Sequence, residues 1–525
     1  MQIDDVMTAA EGRAIIPGFH PDPSLCRFGD RFLLVTSSFE YAPALPLWSS
    51  PDLVNWTLEG NVLDRPEQLR LDRFRRWIDG SPISPETDGL PPGSANTGAF
   101  APTIRAHAGR LHVAVTNVSD FFGGPMVVTA DHPSGPWSDG VQFPELPGID
   151  PDLFWDAEGT AHLTVSSYAD GAPCVRSAPV DLTTGRLLGP ARRLWSGTGG
   201  QAPESPHLIR RGDWIYLLLA EGGTERGHAV TIARTRDLAS DDWEAAPGNP
   251  LLTHRGLDRP VLNVGHADLV ELADDRWAMV YLGVRPRGFS GFHVNGRETF
   301  LAGVTWVDGW PVVDEGAFPV PARDHTFVER FDGTTLHARW VSPGRLPAQI
   351  SRAARPGRWI GATDDAGEHA LLACRPLDDF WRAEIELADV EGLAGLCLRV
   401  DERHAAEVLV DGDGRVVSRI TVGDLRRERP APELASPPRL YIEVSPDGAP
   451  VLLAGPDVVE VGVVVEGRRI PLDRVDGRYL SVEVAGGWTG RVVGIRCAQG
   501  RARITEFHYS PSDRDPVLLP HRDSV

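Results

Sequence analysis

The sequence repeats one short phrase five times, and this repeat constrains the fold more than any other feature. Each copy has a small or proline-containing approach, a short strand, a turn rich in Gly and Asp, and an apolar second strand. The copies begin at His20, Phe100, Ile149, Glu204 and Gly265. They start roughly 50–80 residues apart, which leaves room for four strands each, as in a propeller blade. The repeat therefore predicts a five-bladed β-propeller.

The second strands of the five copies are apolar runs, and further strands follow the last of them. The runs lie at 32–35, 111–115, 161–165, 214–219 and 277–282. An additional strand at 297–306 and another at 308–313 are predicted to complete the fifth blade. Such a run of strands and turns, without long amphipathic stretches, is typical of an all-β domain.

The pattern changes after residue 319. Residues 320–327 are predicted to form a linker, and from Val328 alternating strands follow with turns roughly every 8–12 residues, as at 382–387, 406–411 and 479–484. The prediction is an all-β chain with a propeller at 1–319 and a β-sandwich of jelly-roll type at 328–510. Residues 511–525 are predicted to be a polar tail.

Three acidic residues occupy matching places in the repeat. Asp22 and Asp150 lie three residues before the aligned apolar residue of their copies, and Glu204 lies four before it. Each could serve a turn or a solvated loop if taken alone. Equivalent positions of successive blades converge on the central channel, so the three carboxylates are predicted to meet. Like charges held together raise one another's pKa, which yields an acid and a base from one residue type.

His266 holds the matching place in the fifth copy. It has three interpretations: a structural channel residue, a residue that orients water, or a residue that faces a hard cation such as Ca²⁺. No ligand cluster of the zinc type accompanies it in the sequence. We expect no required cofactor, and a Ca²⁺ ion in the propeller channel at His266 stays open.

Charge and cysteine content exclude several classes of function. The net charge of −21 argues against a phosphate-binding surface, so no nucleic-acid partner is expected. The chain starts without a basic and apolar leader pattern and contains no apolar run of membrane length, so no membrane partner is expected. Its five scattered cysteines, an odd number without a Cys-x-x-Cys spacing, indicate reduced thiols and predict a cytoplasmic protein. Homo-oligomerisation stays open.

These motifs resemble those of glycoside hydrolase family 43, and the layout resembles that of its β-xylosidases with a C-terminal β-sandwich. The matching segments span the whole propeller. They are Gly-Phe-His-Pro-Asp-Pro-Ser (18–24), Ala-Pro-Thr-Ile (101–104), Gly-Ile-Asp-Pro-Asp-Leu-Phe (148–154), Glu-Ser-Pro-His-Leu (204–208), Gly-His-Ala-Asp-Leu-Val (265–270) and Gly-Arg-Glu-Thr-Phe (296–300). The resemblance implies an inverting, exo-acting hydrolase that releases terminal β-D-xylose from small xylooligosaccharides.

The resemblance also implies a role for each site residue. Asp22 is expected to be the general base that activates water, and Glu204 the general acid that protonates the leaving oxygen. Asp150 is expected to hold Glu204 and tune its pKa. The substrate-binding residues implied are Arg297 for sugar hydroxyls, Phe39 and Phe100 for the pocket wall, and His266.

Two departures from the family pattern leave the sugar open. The family's β-xylosidases carry Trp where this chain has Phe100, and Phe has no indole donor and less stacking area. The C-terminal position from which an aromatic residue can reach the pocket is Val492 here, with Trp488 nearby. An α-L-arabinofuranosidase or a bifunctional enzyme is therefore the alternative. A non-catalytic carbohydrate-binding propeller is a further one, although it would not need three carboxylates in matching positions.

Overall fold

The computed structural model describes residues 6–69, 71, 74–75, 82–83, 96–168, 171–273, 275–361, 370–434 and 438–512. The chain divides into two compact units. The first comprises Met1–Arg285 with Arg297–Ala322, and the second comprises Pro286–Gly296 with Arg323–Val525. The sequence prediction assigned 286–296 to the propeller, whereas its contacts group this segment with the second unit.

The first unit is a five-bladed β-propeller, as the repeat predicts. Each blade is an antiparallel sheet whose strands follow one another in chain order. The first blade comprises Ser24–Phe28, Arg31–Val35, Ala44–Ser50 and Thr57–Leu63, and the second comprises Ala99–His107, Arg110–Asn117, Met126–Ala130 and Val141–Gln142. The third comprises Ile149–Trp155, Ala161–Ser167, Cys174–Asp181, Arg186–Leu187 and Arg192–Arg193. The fourth comprises Glu204–Arg211, Trp214–Glu221, Ala229–Thr235 and Glu244–Ala245, and the fifth comprises Leu262–Glu271, Trp277–Val284, Glu298–Val307 and Trp310–Asp314.

The first strand of every blade contacts the first strands of the blades on either side, which closes the ring. The aligned apolar residue of each copy pairs with an apolar residue of its second strand. These pairs are Leu25 with Leu34, Ile104 with Val113, Leu153 with Leu163, Leu208 with Leu217, and Leu269 with Met279. All ten side chains are buried. The hairpin register predicted from the sequence is therefore confirmed, because a slip of one residue would turn these side chains to the opposite face.

Short elements complete the first unit. Val6–Met7 pairs with Val320–Pro321, and Phe74–Arg75 pairs with Pro82–Ile83. Tyr41–Ala42 is a further short strand, and 3₁₀ turns span Ala9–Glu11 and Val118–Gly123. The pairing of residues 320–321 falls inside the segment predicted to be a linker.

The second unit is a sheet-rich domain with the β-sandwich character predicted for it. Two long strands, Trp381–Asp401 and Val492–Pro511, pair with each other along most of their lengths. The two ends of this strand pair have different neighbouring strands. The other strands are Phe327–Glu329, Ser342–Pro343, Ser351–Ala353, Arg358–Gly361, Ala370–Cys374, His404–Asp411, Val416–Val422, Leu425–Pro430, Arg439–Ser445, Val458–Val465 and Arg468–Asp476.

The two long strands connect two layers. Near Trp381 and Pro511 they continue into Arg439–Ser445 and Phe327–Glu329. Near Asp401 and Val492 they continue into His404–Asp411 and Ala370–Cys374. The pairing is irregular between these ends, at Glu386 to Asp389 and at Leu393, where strands can bend from one layer to the next. One apolar core with Trp340, Trp381, Leu396 and Phe507 fills the unit.

One predicted strand of this unit is wrong. Residues 479–484 alternate in polarity but form the end of a 3₁₀ turn, Gly477–Leu480, and an α-helix, Val482–Ala485. Gly486 ends the helix with a left-handed conformation (φ 75°). The other helical elements are Pro347–Ile350 and the 3₁₀ turn Val451–Leu453. In the described parts of the chain, no helix has the length and apolar character needed to span a bilayer. The predicted tail lies outside the described residues except for 511 and 512.

Candidate active site

One residue at the start of each innermost strand adopts a left-handed backbone conformation. We call these residues the kinked positions: Asp22 (φ 56°), Ala101 (40°), Asp150 (52°), Ser205 (54°) and His266 (49°). In four of the five blades the strand register also shifts here. None is a glycine, so each costs roughly 1–2 kcal/mol that the surrounding blade must offset. The repeat therefore builds a kink at the same place in every blade, and three of the predicted site residues lie on it.

Asp22 is held by donors on both carboxylate oxygens. Arg297 Nη1 donates to Oδ1 at 2.8 Å, and Ser37 Oγ donates to Oδ2 at 2.6 Å. Ser37 Oγ in turn accepts from the backbone N–H of Ala101 at 2.7 Å, which connects Asp22 to the second blade. Asp22 is an acceptor in each of these bonds and is buried. The two donors therefore fix the position of this carboxylate.

Asp150 and Glu204 lie on neighbouring blades and titrate together. The backbone N–H of Ser205, the residue after Glu204, donates to Asp150 Oδ2 at 2.9 Å. Burial raises the pKa of Glu204 to about 8, and the charges of Asp150 and Asp22 add to this effect. Burial, together with the charge of Asp22, also raises the pKa of Asp150 to about 7. Both raised values favour a proton on this pair of carboxyl groups at neutral pH.

His266 lies beside Asp22, with 3.7 Å between Nδ1 and Asp22 Oδ1. Burial lowers its pKa to about 3, which makes the ring neutral. The same Asp22 oxygen binds Arg297, a cation that would repel a metal ion. Among the described residues no group of three or more His, Cys, Asp or Glu side chains could hold a metal ion. A Ca²⁺ ion in the channel at His266 therefore stays a prediction.

Aromatic side chains and Arg297 form one wall. The rings of Phe39 and Phe100 lie 4.4 Å apart between centroids, and the Arg297 guanidinium lies 5.6 Å from the Phe39 centroid. Arg297 Nη1 also donates to Thr224 Oγ1 at 3.1 Å. Phe39 and Phe100 are both buried. These contacts connect five of the seven predicted site residues, and the other two, Asp150 and Glu204, lie near enough for the charges of Asp22 and Arg297 to act on them.

Sequence reasoning missed three residues near this cluster: Ser37, Thr224 and Tyr168. Ser37 and Thr224 bind Asp22 and Arg297 as described. Tyr168 follows the strand Ala161–Ser167 and is 42% exposed, and the charges of Glu204 and Asp150 add to burial in raising its pKa to about 12. None of the three occupies a repeated position, which is why the alignment of the copies gave no signal for them.

Comparison with known proteins agrees with this geometry. Residues 12–311, more than half of the chain, match the sequence profile of Glycosyl hydrolases family 43. The chain belongs to glycoside hydrolase family 43. The match includes every kinked position and nearly all of the five blades.

Characterised relatives in family 43 carry pentosidase names. A xylosidase/arabinosidase of Butyrivibrio fibrisolvens is 43% identical over 315 residues, which are 58% of this chain and 56% of that protein. A non-reducing end α-L-arabinofuranosidase of Bacteroides ovatus is 38% identical over 350 residues, 62% of this chain and 60% of that protein. The aligned part of this chain thus spans less than two thirds of the length of either relative.

The family fold also extends over both units. A solved family 43 structure from a Bacteroides ovatus xyloglucan PUL has a TM-score of 0.80 and 29% sequence identity. The alignment covers 95% of this chain and 99% of that one. A chain with a propeller and a second sheet-rich unit is therefore an established arrangement within family 43.

Proposed function

We propose that this family 43 enzyme is an inverting exo-glycosidase that releases terminal β-D-xylose from xylooligosaccharides. Asp22 is the general base, Glu204 the general acid, and Asp150 the residue that holds and tunes Glu204. One observation carries the proposal: Asp22 only accepts hydrogen bonds, whereas the Asp150–Glu204 pair keeps a proton near neutral pH. The cluster therefore contains a base and an acid at the same pH.

Each proton has a defined path in this mechanism. Asp22 takes a proton from water as the water oxygen bonds to the anomeric carbon. The bond from that carbon to the leaving oxygen breaks as Glu204 gives its proton to the leaving oxygen. The product sugar has the opposite configuration at the anomeric carbon, because water attacks the face away from the leaving group.

The wall residues suit a terminal pentose. Arg297 has donors for sugar hydroxyls, and one of its nitrogens binds Asp22. The same arginine would therefore position both the bound sugar and the base Asp22. Phe39 and Phe100 offer an apolar surface to a sugar ring. His266 contributes a neutral ring that can bind a hydroxyl or water without adding charge.

A second candidate is an α-L-arabinofuranosidase, alone or combined with xylosidase activity. The names of the two relatives favour it, since one includes both activities and the other only arabinofuranosidase. A panel of aryl β-D-xyloside and aryl α-L-arabinofuranoside, compared by kcat/KM, separates the two. Release from the xyloside alone supports the first candidate, and release from the furanoside alone replaces it with the second.

The mechanism is tested by the configuration of the first product. Proton NMR during the first minutes of hydrolysis should show the inverted anomer before mutarotation mixes the two. A retained anomer would overturn the inverting assignment. Folded protein that releases no sugar from either aryl glycoside or from xylobiose would instead favour a carbohydrate-binding propeller.

A further inference from the structure

A second group of polar side chains lies two residues further along the innermost strands. Four members stand one residue before the aligned apolar residue of their blades, and the second blade contributes an arginine instead. We call this group the axial ring: Ser24, Arg105, Asp152, His207 and Asp268, one from each blade. Every blade therefore supplies one member.

Arg105 contacts all four other members. Its Nη1 donates to Asp268 Oδ2 at 2.7 Å and lies 3.3 Å from Ser24 Oγ. Its Nη2 donates to Asp152 Oδ1 at 2.7 Å and lies 3.0 Å from His207 Nδ1. The same nitrogen of His207 lies 3.3 Å from Asp152 Oδ1. One side chain thus connects the first strands of all five blades.

The charge of Arg105 compensates two buried carboxylates. The side chains of Asp152 and Asp268 are almost completely inaccessible to solvent. Burial raises the pKa of Asp268, but the charges of Arg105 and His207 and the hydrogen bonds from Arg105 and Ser24 together outweigh burial and lower the pKa to about 2. Two buried negative charges without such a partner would destabilise the fold.

Asp152 connects Arg105 to the strand that carries Glu204. Its Oδ2 accepts from the backbone N–H of Leu208 at 2.8 Å, while its Oδ1 is held by Arg105. Asp150, on the same strand, accepts from the N–H of Ser205. The strand Ile149–Trp155 therefore binds the strand Glu204–Arg211 at Ser205, inside the register shift that follows Glu204, and at Leu208, just beyond that shift.

We propose that Arg105 is a positioning residue for the reaction, which by holding Asp152 fixes the strand that carries Glu204 and so aims the proton at the leaving oxygen. The proposal rests on Glu204 being the general acid. Arg105 itself touches neither the substrate nor the reacting atoms. Loosening it misplaces the acid without removing it, and a misplacement of about 1 Å can cost up to 10²-fold in rate.

The test compares leaving groups. Values of kcat/KM are measured for xylobiose, a poor leaving group, and for an activated aryl β-D-xyloside, or for the matching arabinofuranosides if the enzyme prefers them. The variants are Arg105→Lys, Asp152→Asn and Glu204→Gln. The matched control is Arg110→Lys, since Arg110 lies in the same blade and forms an exposed ion pair with Asp131.

We expect Arg105→Lys to lose about tenfold or more with xylobiose and much less with the aryl glycoside, in the direction of Glu204→Gln. Arg110→Lys should match the wild type with both. A purely structural role would reduce the amount of active enzyme and lower both rates equally. Asp152→Asn keeps the charge of Arg105 and serves if Arg105→Lys does not fold.

The double variant Arg105→Lys, Glu204→Gln makes the test decisive. If Arg105 acts through Glu204, its substitution should cause little further loss once the acid is gone. Equal losses for both substrates, or full additivity, would overturn the proposal while Glu204→Gln still discriminates between leaving groups. If Glu204→Gln itself fails to discriminate, the acid assignment falls, and the proposal falls with it.

Discussion

The kinked positions and the axial ring occupy the same five strands, two residues apart, yet they treat their carboxylates in opposite ways. In the kinked positions Asp150 is buried beside other acids, and its pKa rises to about 7. In the axial ring Asp268 is equally buried beside Arg105, and its pKa falls to about 2. Burial is the largest influence on both residues, and it acts in the same direction.

The difference between the two groups comes from one compensating cation. Arg297 donates to Asp22, and its charge lowers the pKa of Asp150 and of Glu204 by less than burial and the neighbouring acids raise it. Arg105 instead donates to both acids of the axial ring. The pKa of a buried carboxylate in this propeller is therefore raised beside other acids, as at Asp150 and Glu204, and lowered beside Arg105, as at Asp268.

The largest effect is expected from Asp22→Asn. Asparagine keeps the size of the side chain but cannot take a proton, so kcat should fall about 10²–10⁴-fold. The loss should be similar for aryl glycosides and xylobiose, because water attack needs the base whatever group leaves. Steady-state kinetics with both substrates measure it, and Asp30→Asn, in an exposed turn, is the control. Near-normal activity in a folded Asp22→Asn variant would remove the base assignment.

Asp268→Asn should affect stability. Removing one partner from the buried axial ring should lower the free energy of unfolding by about 3–5 kcal/mol at pH 7, measured by urea denaturation. Asp131→Asn, which breaks the exposed pair with Arg110, should cost about 1 kcal/mol or less.

The stability loss in Asp268→Asn should depend on pH. The pKa of Asp268 is lower in the folded protein than in the unfolded chain, so its ionised form stabilises the fold above about pH 4. This contribution disappears as the pH falls towards 2. Wild type and variant should therefore converge in acid, and a difference that stays constant down to pH 2 would contradict the compensation by Arg105.

Asp150→Asn should move the alkaline limb of the pH–rate profile. Activity requires protonated Glu204, whose pKa is raised to about 8 by burial first and by the charge of Asp150 next. Removing that charge lowers the pKa of Glu204, so the rate should begin to fall at lower pH than in the wild type. Asp268→Asn is the axial-ring control and should leave the limb in place. If the alkaline limb of Asp150→Asn lies at the same pH as that of the wild type, Asp150 does not tune the pKa of Glu204.

The smallest effect is expected at Ala101, the one kinked position with no polar side chain. Ala101→Gly should raise the free energy of unfolding by about 0.5–1 kcal/mol, because glycine adopts a φ of 40° without strain. Ala106→Gly, in the same strand but without a left-handed backbone, should lower it by a similar amount. Equal signs for the two variants in thermal unfolding would mean that the kink stores no strain.

The sequence predicted the features that repeat. Leu25 and its four equivalents fixed the hairpin register, and the spacing from them placed Asp22, Asp150, Glu204 and His266 together. In a propeller, equivalent positions of successive blades lie around one axis, so residues that share a place in the repeat are predicted to lie close together.

Features outside the repeat could not be predicted in this way. Arg105 follows its aligned residue instead of preceding it, and Ser37 and Thr224 reach the site from loops. Residues 479–484 alternate between polar and apolar side chains as a strand does, and over so few residues this pattern does not distinguish a strand from a short helical turn. The assignment of residues 286–296 to the second unit depends on contacts with residues far along the chain, such as Arg287 with Asp457, 3.0 Å apart.

The paired strands Trp381–Asp401 and Val492–Pro511 have a consequence for how the second unit forms. Their partners are separated by about a hundred residues in sequence, so the central pairing cannot begin until the intervening chain has been synthesised. Because each strand belongs to both layers, neither layer has a complete set of neighbours before that moment. The unit should therefore assemble late and in a single cooperative step, with slow, topology-limited kinetics.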